Sequence, residues 1–181
     1  MKKLFAVALA TLVIAGVAFG QGMPEKGKMT LGVGGEFGLP MGDFGDGYTM
    51  GFGGSGRFQY GIQDNITIYG QIAYISWSED EDVIPSDASS YSLEFLAGGK
   101  YGFGSGFYGL AELGINSFGF SYDYTDPFSG QTLSFDDSES KFMLAPGVGY
   151  MYQGFTVEVK YFLIDSDLSH LRFRVGYDFA L

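Results

Sequence analysis

The carboxyl-terminal residues of the chain alternate between two kinds of side chain. In the segment HLRFRVGYDFAL, residues 170 to 181, every odd position from Leu171 to Leu181 is apolar or aromatic. The even positions are mostly polar or small, and they include Arg172, Arg174 and Asp178. A period of two is typical of a β-strand whose faces meet different surroundings. The pattern therefore predicts a strand that separates an apolar environment from a polar one.

The same alternation recurs along the chain in eight stretches: 28 to 37, 49 to 60, 65 to 77, 90 to 101, 106 to 118, 141 to 152, 155 to 164 and 169 to 181. A tilted strand crosses a bilayer in about 9 to 11 residues, so each stretch is long enough. Short connections at 61 to 64, 102 to 105 and 153 to 154 take turns with those at 38 to 48, 78 to 89, 119 to 140 and 165 to 168. This arrangement predicts an all-β fold, an eight-stranded antiparallel up-and-down transmembrane β-barrel.

The amino-terminal residues 1 to 20 have the layout of a secretory signal peptide. Lys2 and Lys3 precede an apolar run from Leu4 to Phe19, and small residues follow. We expect cleavage before Gln21, with cleavage after Ala18 as the alternative, which leaves residues 21 to 181 as the barrel domain. A retained anchor is the competing interpretation, but a membrane-spanning helix needs about 20 apolar residues.

Charge and cysteine content exclude several functions. Without Lys2 and Lys3 the chain keeps 8 basic residues against 21 acidic ones, a net charge near −13. Such a polyanion is unsuited to binding nucleic acid. The chain has no cysteine and one histidine, His170, so a metal site of nitrogen and sulfur ligands is excluded. We expect an exported monomer without cofactors, stabilised by a regular fold.

The charges on the polar face indicate which face points inward. A soluble barrel of the lipocalin kind would place its apolar face inside, whereas a membrane barrel places it outside. Buried charges must be paired, because an uncompensated buried ion costs several kcal/mol. Five acids and five bases share the polar face, which predicts ion pairs in an enclosed lumen: Glu36, Glu94, Glu112, Glu158, Asp178, Arg57, Lys100, Lys160, Arg172 and Arg174.

Aromatic residues collect where the predicted strands meet the short connections. Membrane barrels carry such residues as girdles at the lipid–water interface. The residues expected to form a girdle are Tyr60, Tyr101, Phe107, Tyr150, Tyr152, Phe155 and Phe179. Their position favours the membrane arrangement over the soluble one.

The turn at residues 102 to 105 predicts the register of one hairpin. If Lys100 lies opposite Gly106, Glu94 lies opposite Glu112. Two adjacent carboxylates repel each other, so we expect cations or a proton between them. The bases expected to compensate them are Arg172, Arg174 and Lys160. The prediction is an interior plugged by ion pairs.

The signal peptide, the eight strands, the short turns opposite long loops and the ending GYDFAL resemble the small eight-stranded outer-membrane barrels of the OmpA and OmpX type. The resemblance covers essentially the whole mature chain. It implies the outer membrane of a Gram-negative-type bacterium, contact with lipid and lipopolysaccharide, and long connections outside the cell. It also implies insertion by the outer-membrane assembly machinery, whose signal in the last strand is matched by Gly176, Phe179 and Leu181, with Leu where the family usually has Phe. We expect no peptidoglycan-binding domain.

Two sets of residues could in principle support catalysis or metal binding. Ser169 and His170 near Asp167 suggest a nucleophile with a base, but the adjacency of such common residues carries little information. The acidic segments SEDED, 78 to 82, and FDDSES, 135 to 140, could hold Ca²⁺, yet neither has the spacing of a calcium loop. A solvated surface is the preferred interpretation for both segments, and divalent ions that bridge them to lipopolysaccharide are the intermediate one.

The longest connection, residues 119 to 140, is the candidate site for a surface ligand. Its aromatic and apolar residues are expected to continue two strands above the membrane as a ribbon: Tyr122, Tyr124, Phe128, Leu133 and Phe135. A ribbon edge can bind a partner by strand addition. The leading hypothesis is a non-enzymatic structural or adhesion-like surface barrel. A small channel and a lipid-modifying enzyme are the alternatives.

Overall fold

A computed structural model describes residues 23–79, 88–125, 132–164 and 168–181, and the expected signal peptide lies outside these residues. A 3-10 helix covers Gly42–Asp46, and none of the helices in the described ranges is long and apolar enough to cross a membrane. The described strands are β1 (Met29–Pro40), β2 (Tyr48–Gln63), β3 (Ile66–Glu79), β4 (Ala88–Gly104), β5 (Phe107–Thr125), β6 (Thr132–Tyr152), β7 (Phe155–Phe162) and β8 (His170–Ala180).

The strands form a closed barrel in which each strand pairs antiparallel with the next. β1 pairs with β8 from Thr30 opposite Ala180 to Pro40 opposite His170. Closure leaves the main part of the wall without a free sheet edge. The predicted eight-stranded up-and-down barrel, closed by its first and last strands, is confirmed.

The sequence alternation sorts side chains between the two faces of the wall, as β3 illustrates. Thr67, Tyr69 and Gln71 are buried inside the barrel, whereas Ile68 and Ile72 are exposed on its outer surface. Successive residues of a strand point to opposite faces, so the period of two in the sequence becomes an inside and an outside.

The turn between β4 and β5 lies later in the chain than the sequence predicted. β4 continues through Gly104, with a register shift after Gly102, and the turn is made at Ser105 and Gly106. Both turn residues have positive φ angles, 54° and 86°, a conformation that glycine adopts without steric cost. Lys100 therefore lies opposite Leu110 and not opposite Gly106.

This shift changes the neighbours of two interior acids. Glu94 lies opposite Asn116, and Glu112 lies opposite Gly98. The prediction that Glu94 faces Glu112 is wrong, because the turn at Ser105 and Gly106 lies later in the chain than predicted, which moves β5 along β4. Asn116 and Gly98 are uncharged, so neither acid lies directly opposite a charged residue in this hairpin.

β5 and β6 extend beyond the rest of the barrel. Their pairing runs from Phe107 opposite Tyr150 to Thr125 opposite Thr132. Residues 119–125 and 132–140, taken as part of a connection in the sequence, are therefore largely paired strand, whereas Phe128 lies outside the described residues. We call residues 119–125 and 132–141 the β5–β6 ribbon.

All seven predicted girdle residues lie on the outer surface, where strands meet the short turns. Tyr60, Tyr101, Phe107, Tyr150 and Tyr152 are exposed, and Phe155 and Phe179 are half-buried. Tyr177 shares this outward phase but is buried. The rings of Phe155 and Phe179 lie against it, at centroid distances of 4.9 and 4.7 Å.

The three residues of the expected assembly signal lie at the end of β8. Gly176 points inward, and Phe179 is half-buried on the outer surface. Leu181 follows the strand, and its backbone N–H donates to the carbonyl of Met29 at 3.0 Å. The last residue is therefore tied to the first strand of the barrel.

Candidate functional site: the charged interior

In the described part of the chain, ten aspartate, glutamate, lysine and arginine side chains point into the interior of the barrel from six strands. Each is at most 5% exposed. Five are acidic and five are basic, so their formal charges balance. We call them the interior charge network: Glu36, Arg57, Glu94, Lys100, Glu112, Glu158, Lys160, Arg172, Arg174 and Asp178.

Glu158 accepts the strongest set of contacts in this network. Both carboxylate oxygens accept from Arg57, at 2.6 Å from NH1 and 2.7 Å from NH2. The hydroxyl of Tyr108 donates to the same carboxylate at 2.7 Å, and the Lys100 ammonium lies 3.2 Å away. Two-pronged contacts between arginine and a carboxylate fix direction as well as charge, so Glu158 and Arg57 hold each other in one geometry.

Glu112 joins a second base to this cluster. Lys160 Nζ lies 3.3 Å from each of its oxygens, and Arg57 NH2 lies 3.4 Å from Oε1. The Tyr69 hydroxyl donates to Oε1 at 2.8 Å, and the Arg57 guanidinium lies 4.3 Å from the centre of the Tyr69 ring. Arg57 therefore bridges two acids, as a planar guanidinium with five donors can.

Glu94 and Arg172 form a separate pair nearer the long connections. Arg172 NH2 donates to Glu94 Oε1 at 2.6 Å, and NH1 donates to Oε2. Arg172 NH2 also lies 2.6 Å from His170 Nε2, while His170 Nδ1 lies 3.0 Å from the carbonyl oxygen of Leu168. Since arginine can only donate, Nε2 accepts and Nδ1 donates, which makes the imidazole neutral.

Arg174 lies in a space that glycines leave open. Its guanidinium donates to Ser55 Oγ at 3.0 Å and to Thr156 Oγ1 at 2.8 Å, and Nε is 3.6 Å from Glu36 Oε1. A Cβ atom added at Gly34 or Gly176 would lie 2.7 or 2.6 Å from this guanidinium. These two glycines therefore make room for the arginine inside a narrow barrel.

The contact between Lys100 and Asp178, toward the short turns, is looser. Lys100 Nζ lies 4.0 Å from Asp178 Oδ2. Neither carboxylate oxygen of Asp178 has a hydrogen-bond donor among the described residues. The tight pairs of the network therefore lie in the middle of the barrel and toward the long connections.

An aromatic cap covers the network at the end with the long connections. The 3-10 helix places Phe44 against Trp77 and Tyr48, at ring distances of 4.8 and 4.7 Å. Phe118 adds an edge-on contact at 5.9 Å, and the Trp77 indole N–H donates to Ser92 Oγ at 2.9 Å. Phe44 is only 3% exposed, so its ring is packed inside this end of the barrel.

The amino-terminal residues of the described chain cover the opposite end. Met23 packs against a buried cluster formed by Tyr108, Leu110 and Met151. The Gly27 backbone N–H donates to the Gly61 carbonyl at 2.8 Å, which ties this segment to β2. Packed side chains therefore lie at both ends of the charge network.

Sequence reasoning did not identify the aromatic members of the interior. Tyr69 and Trp77 were assigned to neither face, and the structure places them on the inward phase of Gln71 on β3. Counting residue parity along the strand would have found both. Phe44 gave no such signal, because it lies in a connection and not in an alternating strand.

The structure describes only some of the residues considered for other chemistry. His170 is held by Arg172 and Leu168, and Asp167 lies outside the described residues. Asp137 and Glu139 are exposed on the β5–β6 ribbon, and residues 80 to 82 lie outside the described ranges. Within those ranges no three His, Cys, Asp or Glu side chains are grouped so as to hold a metal ion.

Solved structures share this architecture, although no family model and no curated protein matches the chain. The attachment invasion locus protein Ail of Yersinia pestis is 15% identical, with a TM-score of 0.61 over 86% of this chain and 99% of that one. The outer membrane protein OprG of Pseudomonas aeruginosa is also 15% identical, with a TM-score of 0.54 over 89% and 99% of the two chains. The protein therefore has the fold of the small eight-stranded outer-membrane β-barrels.

Proposed function

We propose that this protein is a non-enzymatic outer-membrane barrel that presents the β5–β6 ribbon to partners outside the cell. The observation that carries the proposal is the extension of β5 and β6 past a barrel whose interior is filled. The two strands stay paired as far as Thr125 opposite Thr132. The pairing of β5 with β4 ends at Tyr122 among the described residues, so the part of the ribbon beyond Tyr122 offers contact surface without a role in building the wall.

The outer surface supports a place in the outer membrane. Large apolar side chains are exposed on successive strands, among them Leu31, Phe58, Ile72, Phe95 and Leu113. A soluble protein rarely exposes so large an apolar surface, whereas hydrocarbon solvates it without cost. We expect outer-membrane lipid and lipopolysaccharide around this surface, with the seven girdle residues at one interface and the assembly machinery as a partner during insertion.

The interior favours a plug over a pore. Side chains fill the lumen of most eight-stranded barrels, and here they include paired charges together with Phe44 at one end and Met23 at the other. An ion crossing this path would have to displace buried ion pairs. The channel alternative therefore requires the network to rearrange. A lipid-modifying enzyme has no favouring observation among the described residues.

The resemblance to Ail adds an indirect argument for a contact role. That protein is named for attachment, and it has been solved with the heparin analogue sucrose octasulfate, a polyanion. This chain shares the barrel architecture, but its ribbon exposes Asp137 and Glu139. Like charges repel, so we expect its partners to differ from sulfated sugars.

A surface-binding screen tests the proposal. Cells that display the intact protein are compared with cells whose residues 119 to 140 are replaced by a short turn, on panels of proteins and host surfaces. A variant with residues 80 to 87 shortened is the control for altered surface density. We expect binding to be lost only with the ribbon, and equal binding by the intact and ribbonless proteins would refute the proposal. Conductance in planar bilayers and hydrolysis of labelled lipid test the two alternatives.

A further inference from the structure

Over about half the length of β6, one of its edges has no neighbouring strand among the described residues. β6 pairs with β7 from Tyr152 to Gly147, and a single bridge joins Leu144 to Leu163. From Thr132 to Met143, β5 is the one strand that pairs with β6 in the described parts of the chain. Residues 132 to 141 alone span about 34 Å at the usual rise of a strand. An edge of this length can accommodate a complete additional strand.

The hydrogen bonds of β6 identify which residues face that edge. Leu144 exchanges both backbone hydrogen bonds with Leu163, at 2.9 and 2.8 Å, and Met151 donates to Gly106 on the β5 side at 2.8 Å. Backbone groups of successive residues point to opposite edges of a strand. The N–H and C=O groups of Ser138 and Ser140 are therefore directed to the edge away from β5.

Two acidic residues, Asp137 and Glu139, lie beside the edge groups of Ser138 and Ser140. Asp137 Oδ1 accepts the backbone N–H of Ser138 at 2.9 Å, so a neighbouring carboxylate occupies one of the edge donors. Glu139 is exposed and lies 3.5 Å from Lys141. Charges are a common protection of sheet edges. Two copies of this edge would bring acids together, and like charges on paired strands are destabilising, so a second copy is disfavoured.

We propose that the β6 edge of the ribbon binds an extended, basic polypeptide segment as an added strand. This proposal rests on the proposed function, in which the ribbon is the contact surface. A lysine or arginine of the partner attracts the Asp137 carboxylate and draws it from the Ser138 N–H. The freed N–H then donates to a partner carbonyl, so charge recognition and strand pairing occur together.

The direct test uses the mature protein in phospholipid nanodiscs and synthetic decapeptides. The probe alternates lysine with threonine, and the matched control alternates glutamate with threonine. We expect the lysine peptide to bind and to slow amide hydrogen exchange at Ser138 and Ser140, with affinity that falls as salt rises. Equal binding of the glutamate peptide, or binding without protection of these amides, would overturn the proposal.

Substitutions at the edge separate backbone pairing from charge. Ser138→Pro with Ser140→Pro removes two edge N–H groups and should weaken binding of the lysine peptide by about tenfold or more. Ser138→Ala with Ser140→Ala keeps both N–H groups and should bind as the wild type does. Asp137→Asn with Glu139→Gln should lower the affinity and flatten its dependence on salt. Circular dichroism checks that the proline variant keeps an intact barrel. Unchanged affinity in this folded variant would overturn strand addition.

The same variants distinguish this proposal from the function on which it rests. If replacement of residues 119 to 140 abolishes surface binding but the proline variant retains it, the ribbon is a contact surface and strand addition is wrong. If neither change affects surface binding while the lysine peptide still protects Ser138 and Ser140, the edge binds strands and the ribbon is not the adhesive surface.

Discussion

Arg172 and Glu94 lie 78 residues apart in the chain and meet as a two-pronged ion pair inside the barrel. Arg172 NH2 lies 2.6 Å from Glu94 Oε1, and both side chains are fully buried. Breaking a buried pair by removing one partner leaves an uncompensated charge, which is strongly destabilising. Replacing both partners by apolar residues removes that charge together with the pair.

A double-mutant cycle at this pair should therefore show strong coupling. Glu94→Leu and Arg172→Met should each lower the free energy of unfolding by about 3 to 5 kcal/mol, and the double variant should lose less than the sum. Urea unfolding from phospholipid vesicles measures all four proteins. Additive losses would show that the two side chains do not act as a pair.

Neutralising two acids at once should disturb the interior more widely. Glu94→Gln with Glu112→Gln leaves Arg172 without the carboxylate that contacts it, and it leaves Lys160 with the longer contact to Glu158 at 3.9 Å. We expect a lower melting temperature and a measurable conductance in planar bilayers. The control is Asp137→Asn with Glu139→Gln, which removes two acids from the ribbon. Unaltered stability and conductance in the interior variant would contradict the plug.

Two neighbouring glycines on opposite faces of β1 provide a matched comparison. A Cβ at Gly34 would lie 2.7 Å from Arg174 Nε, whereas a Cβ at Gly35 meets nothing within 4 Å. The Arg174 head is held by Ser55 and Thr156 and cannot move without losing these bonds. Gly34→Ala should therefore cost about 1 to 3 kcal/mol, and Gly35→Ala should be nearly neutral. Equal stability of the two variants in urea would show that Arg174 has room to move.

The cap can be followed through the single tryptophan of the chain. Phe44→Ala removes the ring that lies 4.8 Å from Trp77. Water should then reach the indole, so we expect a red-shifted emission and faster quenching by acrylamide. Phe103→Ala, at an exposed position beside the opposite turn, is the control. Identical quenching in the Phe44 variant and the wild type would mean that the remaining cap residues exclude water by themselves.

The orientation in the membrane predicts where proteases act. With the long connections outside, protease added to whole cells should cut within residues 38–48, 78–89, 119–140 and 165–168, and the short turns should be protected. Mass spectrometry of the fragments locates the cuts. Cleavage between Gln153 and Gly154 in intact cells would place the short turns outside and reverse the orientation.

The β4–β5 hairpin shows why sequence patterns predict faces better than partners. Alternation placed Glu94 and Glu112 on the inner face, because side-chain direction follows from a period of two. Their partners depend on register, and the register depends on a turn at Ser105 and Gly106 and on an irregularity between Gly102 and Gly104, neither of which periodicity reveals. The later turn replaced a predicted pair of carboxylates by Glu94 opposite Asn116.

The number of strands, the closed barrel and the inward face could be predicted from the sequence, because each follows from local alternation and from the turns between strands. Three features became visible only in the folded barrel: Arg172 binds Glu94, Lys160 and Arg57 share Glu112, and Phe44 caps the barrel. These contacts join residues far apart in the chain. They depend on side-chain reach across a lumen whose shape all eight strands set together, which a local pattern cannot encode.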